Sequence, residues 1–225
     1  MKKVPYSNAV GSIMYLIIST RSDITYGLSL VSRFMSKPSR DHWKAVQWLL
    51  RYLKGTSKLT LQYSRSMSNT CAVTGFCDSD YAADLDKRRS ISGYVFTVGG
   101  NVVCWKSNLQ SVVALSTTEA EYISLTEAVK EGLWITGFVN EMGLEHKGVI
   151  IFCDSESAIH LSKNSVFHER TKHIDVRLHF VRDIISRGLI EVQNIDTLIN
   201  PADILTKVVP VSKLNHALRK LKLVE

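Results

Sequence analysis

Twice in this chain a short run of strand-forming residues ends on an aspartate: AVTGFC leads into Asp78, and GVIIFC into Asp154. A carboxylate is costly to bury without a partner. At the carboxyl end of a core strand it faces the crevice where α/β sheets place ligands. The surrounding pattern is of that class. AVTGFC, SGYVFTV and NVVCWKS are β-rich runs, the last two joined by GGN, a hairpin signal. A long helix is expected over about residues 117–141, followed by the strand GVIIFC and the helix SESAIHLSK. A second long helix, RTKHIDVRLHFVRDIISRG, leads to the strand LIEVQNI, the segment NPADILTK and a basic amphipathic helix, PVSKLNHALRKLKLVE. Three hairpin-type strands, a crossover helix and two further strands point to an α/β domain with a mixed sheet.

The first third reads differently. YSNAVGSIMYLIIST, DITYGLSLVSRFMS and KPSRDHWKAVQWLLRYLKGTS have helical periodicity, the last with a start at Pro38-Ser39 and a stop at Gly55. Trp43, Val46, Leu49 and Leu50 make its apolar face, completed by Leu53, while Lys44, Arg51 and Lys54 lie off it. The aromatics are assigned to the core. LTLQY is a short strand and SRSMSNT a polar linker, which divides the chain into a helical segment, 1–70, and an α/β domain, 71–225. Of the net +7, residues 1–70 carry eleven basic side chains against Asp23 and Asp41. Such a segment suits a polyanion, and equally a solvated helical face. IMYLII is too short to cross a bilayer, and MKKVPYSNAV lacks a signal-peptide h-region. Cys71, Cys77, Cys104 and Cys153 form no C-x-x-C pair, and buried free thiols fit a reducing compartment. An intracellular location, cytoplasmic or nuclear, is therefore expected, with no membrane partner.

Three further acids are placed to join Asp78. Asp154 is one, although alone it suits an N-cap. In ALSTTEAEYISLTEAV, Ser116 and Glu119 form a capping box, which gives Glu119 a local task. Glu121 remains, beside the buried face marked by Leu125 and Ala128, and needs a partner there. Asp203 falls in the first turn of a late helix, where Asp is ordinary. Together Asp78, Glu121, Asp154 and Asp203 make a site for two divalent cations. Clustered carboxylates raise one another's pKa, and hard oxygen donors suit Mg²⁺ better than zinc. Asp78 and Asp154 would anchor the metals while Glu121 and Asp203 complete the two sites. Asp80 is at most a supporting residue, and the remaining acids of the loop are solvated.

CDSDYAADLDKRRSISGYVF, WKSNLQSVVALSTTEAEY, CDSESAI, RTKHIDVRLHFVRD and NPADILTK, in this order over about residues 72–208, resemble the ribonuclease H domain of copia-type LTR retrotransposon Pol polyproteins. VPYSNAVGSIMYL, TRSDITYGLSLVSRFMS and HWKAVQWLLRYLKGTS are similar to the segment joining reverse transcriptase to it. The resemblance implies a ribonuclease H-like five-stranded mixed sheet flanked by helices, after a thumb- or connection-like helical segment. It implies cleavage of the RNA strand of RNA–DNA hybrids with Mg²⁺, two ions with Mn²⁺ as a substitute, and no small-molecule cofactor. The motif matches put the catalytic acids at Asp78, Glu121, Asp154 and Asp203. The polymerase portion of the same polyprotein is the expected partner. Two features depart from the family pattern: QNIDTLINPAD holds no histidine before the last aspartate, and no Tyr-x-Asp-Asp polymerase motif is present. The first methionine, at a position interior to such a polyprotein, leads to the expectation of a fragment or degenerate copy. Hybrid contacts fall to shape, phosphates and 2′-hydroxyls, with Lys87, Arg88, Arg89, Lys106, Gln110, Arg170, His173 and Arg177 as candidates. A catalytically silent nucleic-acid-binding remnant and an integrase-like DNA nuclease are the rival readings.

Overall fold

Helices α1 (Tyr6–Ser19), α2 (Thr25–Ser32) and α3 (Arg40–Gly55) carry the first third of the chain. The computed structural model describes residues 4–65, 72–145, 148–163 and 175–225. Tyr6, Val10, Ile13 and Ile17 recur at helical spacing on α1 and pack with Ile24, Leu28, Val31 and Val46 in one small core. Ser39 caps α3: its hydroxyl accepts the His42 N–H, and the His42 ring accepts the Ser39 N–H at 3.0 Å. The expected inner face of α3 is narrower than its sequence indicates. Trp48 is 66% exposed and Leu50 41%, because α1 and α2 pack only on the Val46–Leu49–Leu53 side.

Past the short strand β1 (Thr60–Leu61), the β-rich runs assemble as β2 (Val73–Asp80), β3 (Ile91–Val98) and β4 (Asn101–Leu109). Gly99 and Gly100 turn the last hairpin with φ of 58° and 75°, the left-handed pair that a two-residue turn of this hand requires. Helix α4 (Thr117–Glu141) then crosses over to β5 (Val149–Cys153). Helices α5 (Glu156–Lys163) and α6 (Asp175–Ser186) lead to β6 (Ile190–Asn194). The sheet order is β4-β3-β2-β5-β6, with β2–β3 and β3–β4 antiparallel and β2–β5 and β5–β6 parallel. The expected mixed sheet of five strands is thus the observed one.

Both faces of the sheet are covered. On one, Tyr122, Leu125 and Val129 of α4 pack with Phe96, Val149, Ile151 and Val181. On the other, Phe76, Val95 and Val102 meet Leu205, Ala217 and Leu221. These come from the 3₁₀ turn Pro201–Leu205 and from α7 (Val211–Lys220) and its end. The chain does not finish as a helix. Lys222, at φ 55°, turns it into β7 (Leu223–Val224), which pairs with β1. Trp105 touches both this core and that of the helical segment, and Arg33, directly after α2, lies 3.4 Å from Asp84. The boundary expected near residue 70 falls within 66–71, outside the described residues. Cys77, Cys104 and Cys153 are free thiols, and Cys71 lies outside the described residues. Among the described residues no helix is long and apolar enough to cross a membrane.

One glycine fixes how the 3₁₀ turn seats on the sheet. A Cβ on Gly93 of β3 would stand 2.7 Å from Thr206 Cγ2 and 2.8 Å from Leu205 Cβ. Gly93→Ala is therefore expected to destabilise the protein by about 1–3 kcal/mol through overpacking. Urea unfolding measures this; an unchanged midpoint would mean that the turn is not held by this contact.

Candidate active site

The strand β2 brings Asp78 into the centre of the molecule, with Gly93 as its neighbour in register. Asp78 is not the residue after the strand, as its position behind AVTGFC suggests. The strand continues to Asp80 and leaves Asp78 only 1% exposed. Its backbone carbonyl accepts the Ser124 hydroxyl of α4 at 2.7 Å. Asp154 does follow its strand directly, at the end of β5. Asp203 lies in the 3₁₀ turn, fully buried, rather than in an α-helix. Asn200 starts that turn: its carbonyl accepts the Ala202 N–H, and its amide donates to the Cys77 carbonyl at 3.0 Å. A single polar side chain thus ties the Asp203 turn to the strand of Asp78.

Carboxylate oxygens of Asp78, Asp154 and Asp203 lie within 4.8 Å of one another. Glu121, Cys153 and Asp154 form a second group on the same measure, so Asp154 is common to both. Glu121 Oε1 accepts the Ser79 N–H at 3.3 Å, while its Oε2 is buried without a hydrogen-bond partner, as is Asp203 Oδ1. Glu119 is used locally, as its capping-box spacing suggests. Its N–H donates to Ser116, and its carboxylate accepts the Leu115 N–H at 2.7 Å. Glu121 thus lies among the site acids, and Glu119 at the start of the helix.

Burial and like charge act together here. Burial first, and then Asp203, push the Asp78 carboxyl up to about 6, against the opposing pull of Lys207 and the Thr206 hydroxyl. Burial, and then Asp78, push Glu121 up to about 10. Two lysines answer the crowding. Lys207 Nζ stands 3.2 Å from Asp78 and 3.3 Å from Asp203, and Lys213 pairs with Asp203. Although burial opposes its charge, Lys207 is held above the usual lysine value by these two carboxylates. Thr206 donates to Asp78 Oδ2. Sequence reasoning did not single out Thr206, Lys207 or Lys213. Thr206 and Lys207 stand three and four residues after Asp203 in NPADILTK, a spacing that returns side chains to the same side. Lys213 sits in α7 and carries no local signal.

Hard carboxylate oxygens, two of them unpartnered, with a Glu121 carboxyl that resists charging alone, fit a divalent cation. Asp80 is half-buried, and burial raises its carboxyl. The other candidates lie on two surfaces. Lys106, Gln110 and Arg177 share a cleft of about 190 Å³ with Tyr94, Asn108 and Glu127. Gln110 is turned inward, 4% exposed, its amide donating to Ser92, Ala120 and Ser79 at 2.8, 2.9 and 3.3 Å. Lys87 and Arg88 are exposed and Arg89 half-buried, on a turn whose backbone N–H groups at Asp86 and Lys87 bond to Asp84. Arg170 and His173 lie outside the described residues.

The strand order, the crossover helix α4, and one aspartate within β2 with another directly after β5 define a ribonuclease H-like fold. No family model matches the chain. It is 51% identical over 213 residues to the retrovirus-related Pol polyprotein from transposon TNT 1-94 of Nicotiana tabacum, covering 95% of this chain and 16% of that one. To the Pol polyprotein from transposon RE2 of Arabidopsis thaliana it is 36% identical over 210 residues, 93% of this chain and 14% of that one. A stretch of 136 residues, 60% of this chain, is 45% identical to 94% of the secreted RxLR effector protein 161 of Plasmopara viticola. Among solved structures, the LC11-RNase H1 complex with RNA/DNA hybrid aligns with 60% of this chain and 93% of its own, at 18% identity and a TM-score of 0.46. Over more than nine-tenths of its length the chain is similar to plant retrovirus-related Pol polyproteins, and it spans 14–16% of the length of the two named above.

The raised carboxyl values predict how the metal-free protein responds to pH. Ordinary Asp and Glu carboxyls in an unfolded chain titrate near 4. The stability that protonation of Asp78 and Glu121 contributes is whole below that point, and is lost as pH rises through about 6 and then about 10. In EDTA, Glu121→Gln should therefore flatten the fall in Tm between pH 6 and pH 9. A variant with the wild-type slope would mean that Glu121 is charged throughout.

Proposed function

We propose that this chain is a ribonuclease H that hydrolyses the RNA strand of RNA–DNA hybrids, the nuclease portion of a retrotransposon reverse transcriptase. The observation that carries the reading is the convergence of Asp78, Glu121, Asp154 and Asp203 from four separate segments into two groups of ligand atoms, one of them including the Cys153 thiol, that share Asp154. Glu121 and Asp154, beside Cys153, would hold one divalent cation, and Asp78, Asp154 and Asp203 the other, Mg²⁺ with Mn²⁺ as a substitute. When bound, such ions supply an activated water and stabilise the leaving 3′ oxygen of the RNA.

The protein's own residues prepare that site. Ser124 and Thr206 fix the backbone and side chain of Asp78, so the carboxylate is held in place before substrate arrives. Asn200 holds the turn that carries Asp203. Lys207 and Lys213 offset the charge of the buried carboxylates. Lys106 and Arg177, in their shared cleft, meet the phosphates of the hybrid, while Lys87, Arg88 and Arg89 meet it beside β2. Gln110 braces the junction of β2, β3 and α4. The polymerase portion of the same polyprotein presents the hybrid.

Cleavage of an end-labelled RNA–DNA hybrid tests the reading. With Mg²⁺ the chain should cut the RNA strand only, and leave DNA duplex intact. EDTA should abolish the activity, and Asp78→Asn should lower it by more than about 100-fold. Binding of the hybrid without cutting, by a folded chain, would assign the protein to the silent binding class instead. Cutting of DNA duplex would assign it to the integrase-like one.

A further inference from the structure

The solvent face of α3 is more one-sided in charge than a solvated helix requires. Arg40, Lys44, Gln47, Arg51 and Lys54 follow one another at intervals of four, three, four and three residues, and all are exposed. That spacing lines them up along one side of the helix. A solvated helical face ordinarily mixes signs, yet the only acid in α3 is Asp41, paired with Lys44 at 3.0 Å. Beside the stripe, Trp48 is left 66% exposed, with the Arg51 guanidinium 4.8 Å from the centre of its ring. On the packed side of the helix, away from this stripe, Leu49 and Tyr52 wall a cleft that Lys207 also lines.

We propose that this ridge of α3 is a second nucleic-acid contact, separate from the cleft of Lys106 and Arg177, that grips the sugar–phosphate backbone of a duplex. The four cations span about 21 Å along the helix axis, which matches about six phosphate steps of one strand at about 3.4 Å each. Trp48 offers an apolar plane to the sugars beside them, a role that a purely solvated ridge does not need. Taking the duplex to be the RNA–DNA hybrid rests on the function proposed above. The ridge requires only a regular phosphate backbone.

Fluorescence anisotropy with a labelled hybrid of 20 base pairs, in EDTA so that nothing is cut, tests the ridge directly. The quadruple variant Arg40→Gln, Lys44→Gln, Arg51→Gln and Lys54→Gln should bind at least about tenfold more weakly. Its slope of log affinity against log salt should be shallower by about 0.9 for each phosphate that is no longer neutralised. Lys130→Gln, an exposed lysine of α4 paired with Glu127, should leave both quantities unchanged. Unchanged affinity and slope in a quadruple variant with a wild-type circular dichroism spectrum would overturn the proposal. So would a variant that loses binding to phosphatidylserine vesicles while keeping its grip on the hybrid. If the chain binds in this ridge-dependent way but never cuts, the nuclease reading fails and the ridge stands. If it cuts, and the quadruple variant keeps the wild-type slope, only the ridge fails.

Discussion

Carboxylates forced together away from water repel one another, and most of what surrounds the centre of this fold is arranged around that repulsion. Asp78 and Asp203 are almost wholly buried, Asp154 lies between them and Glu121, and two of the oxygen atoms have no hydrogen-bond donor. Left to itself such a group protonates, which is the sense of the raised values at Asp78 and Glu121. An apolar core would be cheaper to build at this place. The cost is intelligible if the repulsion is what draws cations in.

The neighbouring structure holds the carboxylates against that repulsion. Asp78 sits inside the central strand rather than on a loop, with backbone pairing to β3 and a hydroxyl from α4 on its carbonyl. The Asp203 turn is fastened by Asn200 to the carbonyl of Cys77, and lies against a strand position with no side chain, Gly93. A site placed on strands and braced from helices keeps its geometry better than one placed on loops. The helical segment adds to this frame: its Arg33 reaches the turn at Asp84, and β1 closes against the last strand of the chain.

The elements most legible in the sequence were those whose physics is local. Alternation and the GGN turn marked the hairpin, and the capping box at Ser116 marked both the start of α4 and the spent carboxylate of Glu119. An apolar run ending in aspartate marked Asp154 well and Asp78 only roughly, because a strand can carry a buried acid onward when a partner strand and a helix supply its bonds. Less legible was whatever depends on distant packing. Lys213 reaches Asp203 from the last helix, and nothing in PVSKLNHALRK distinguishes it from a solvated lysine. Trp48 was assigned to the core because aromatics usually go there, and was left outside because α3 has neighbours on one side only.

The central claim is that the two groups of ligand atoms are cation sites sharing Asp154. The most direct measurement is a titration of the folded protein with Mn²⁺, followed by the loss of its free electron paramagnetic resonance signal. Two ions should bind per chain, and Asp154→Asn should weaken both, since that carboxylate belongs to both groups. A folded protein that leaves millimolar Mn²⁺ free, or one whose binding survives Asp154→Asn unchanged, would contradict that claim.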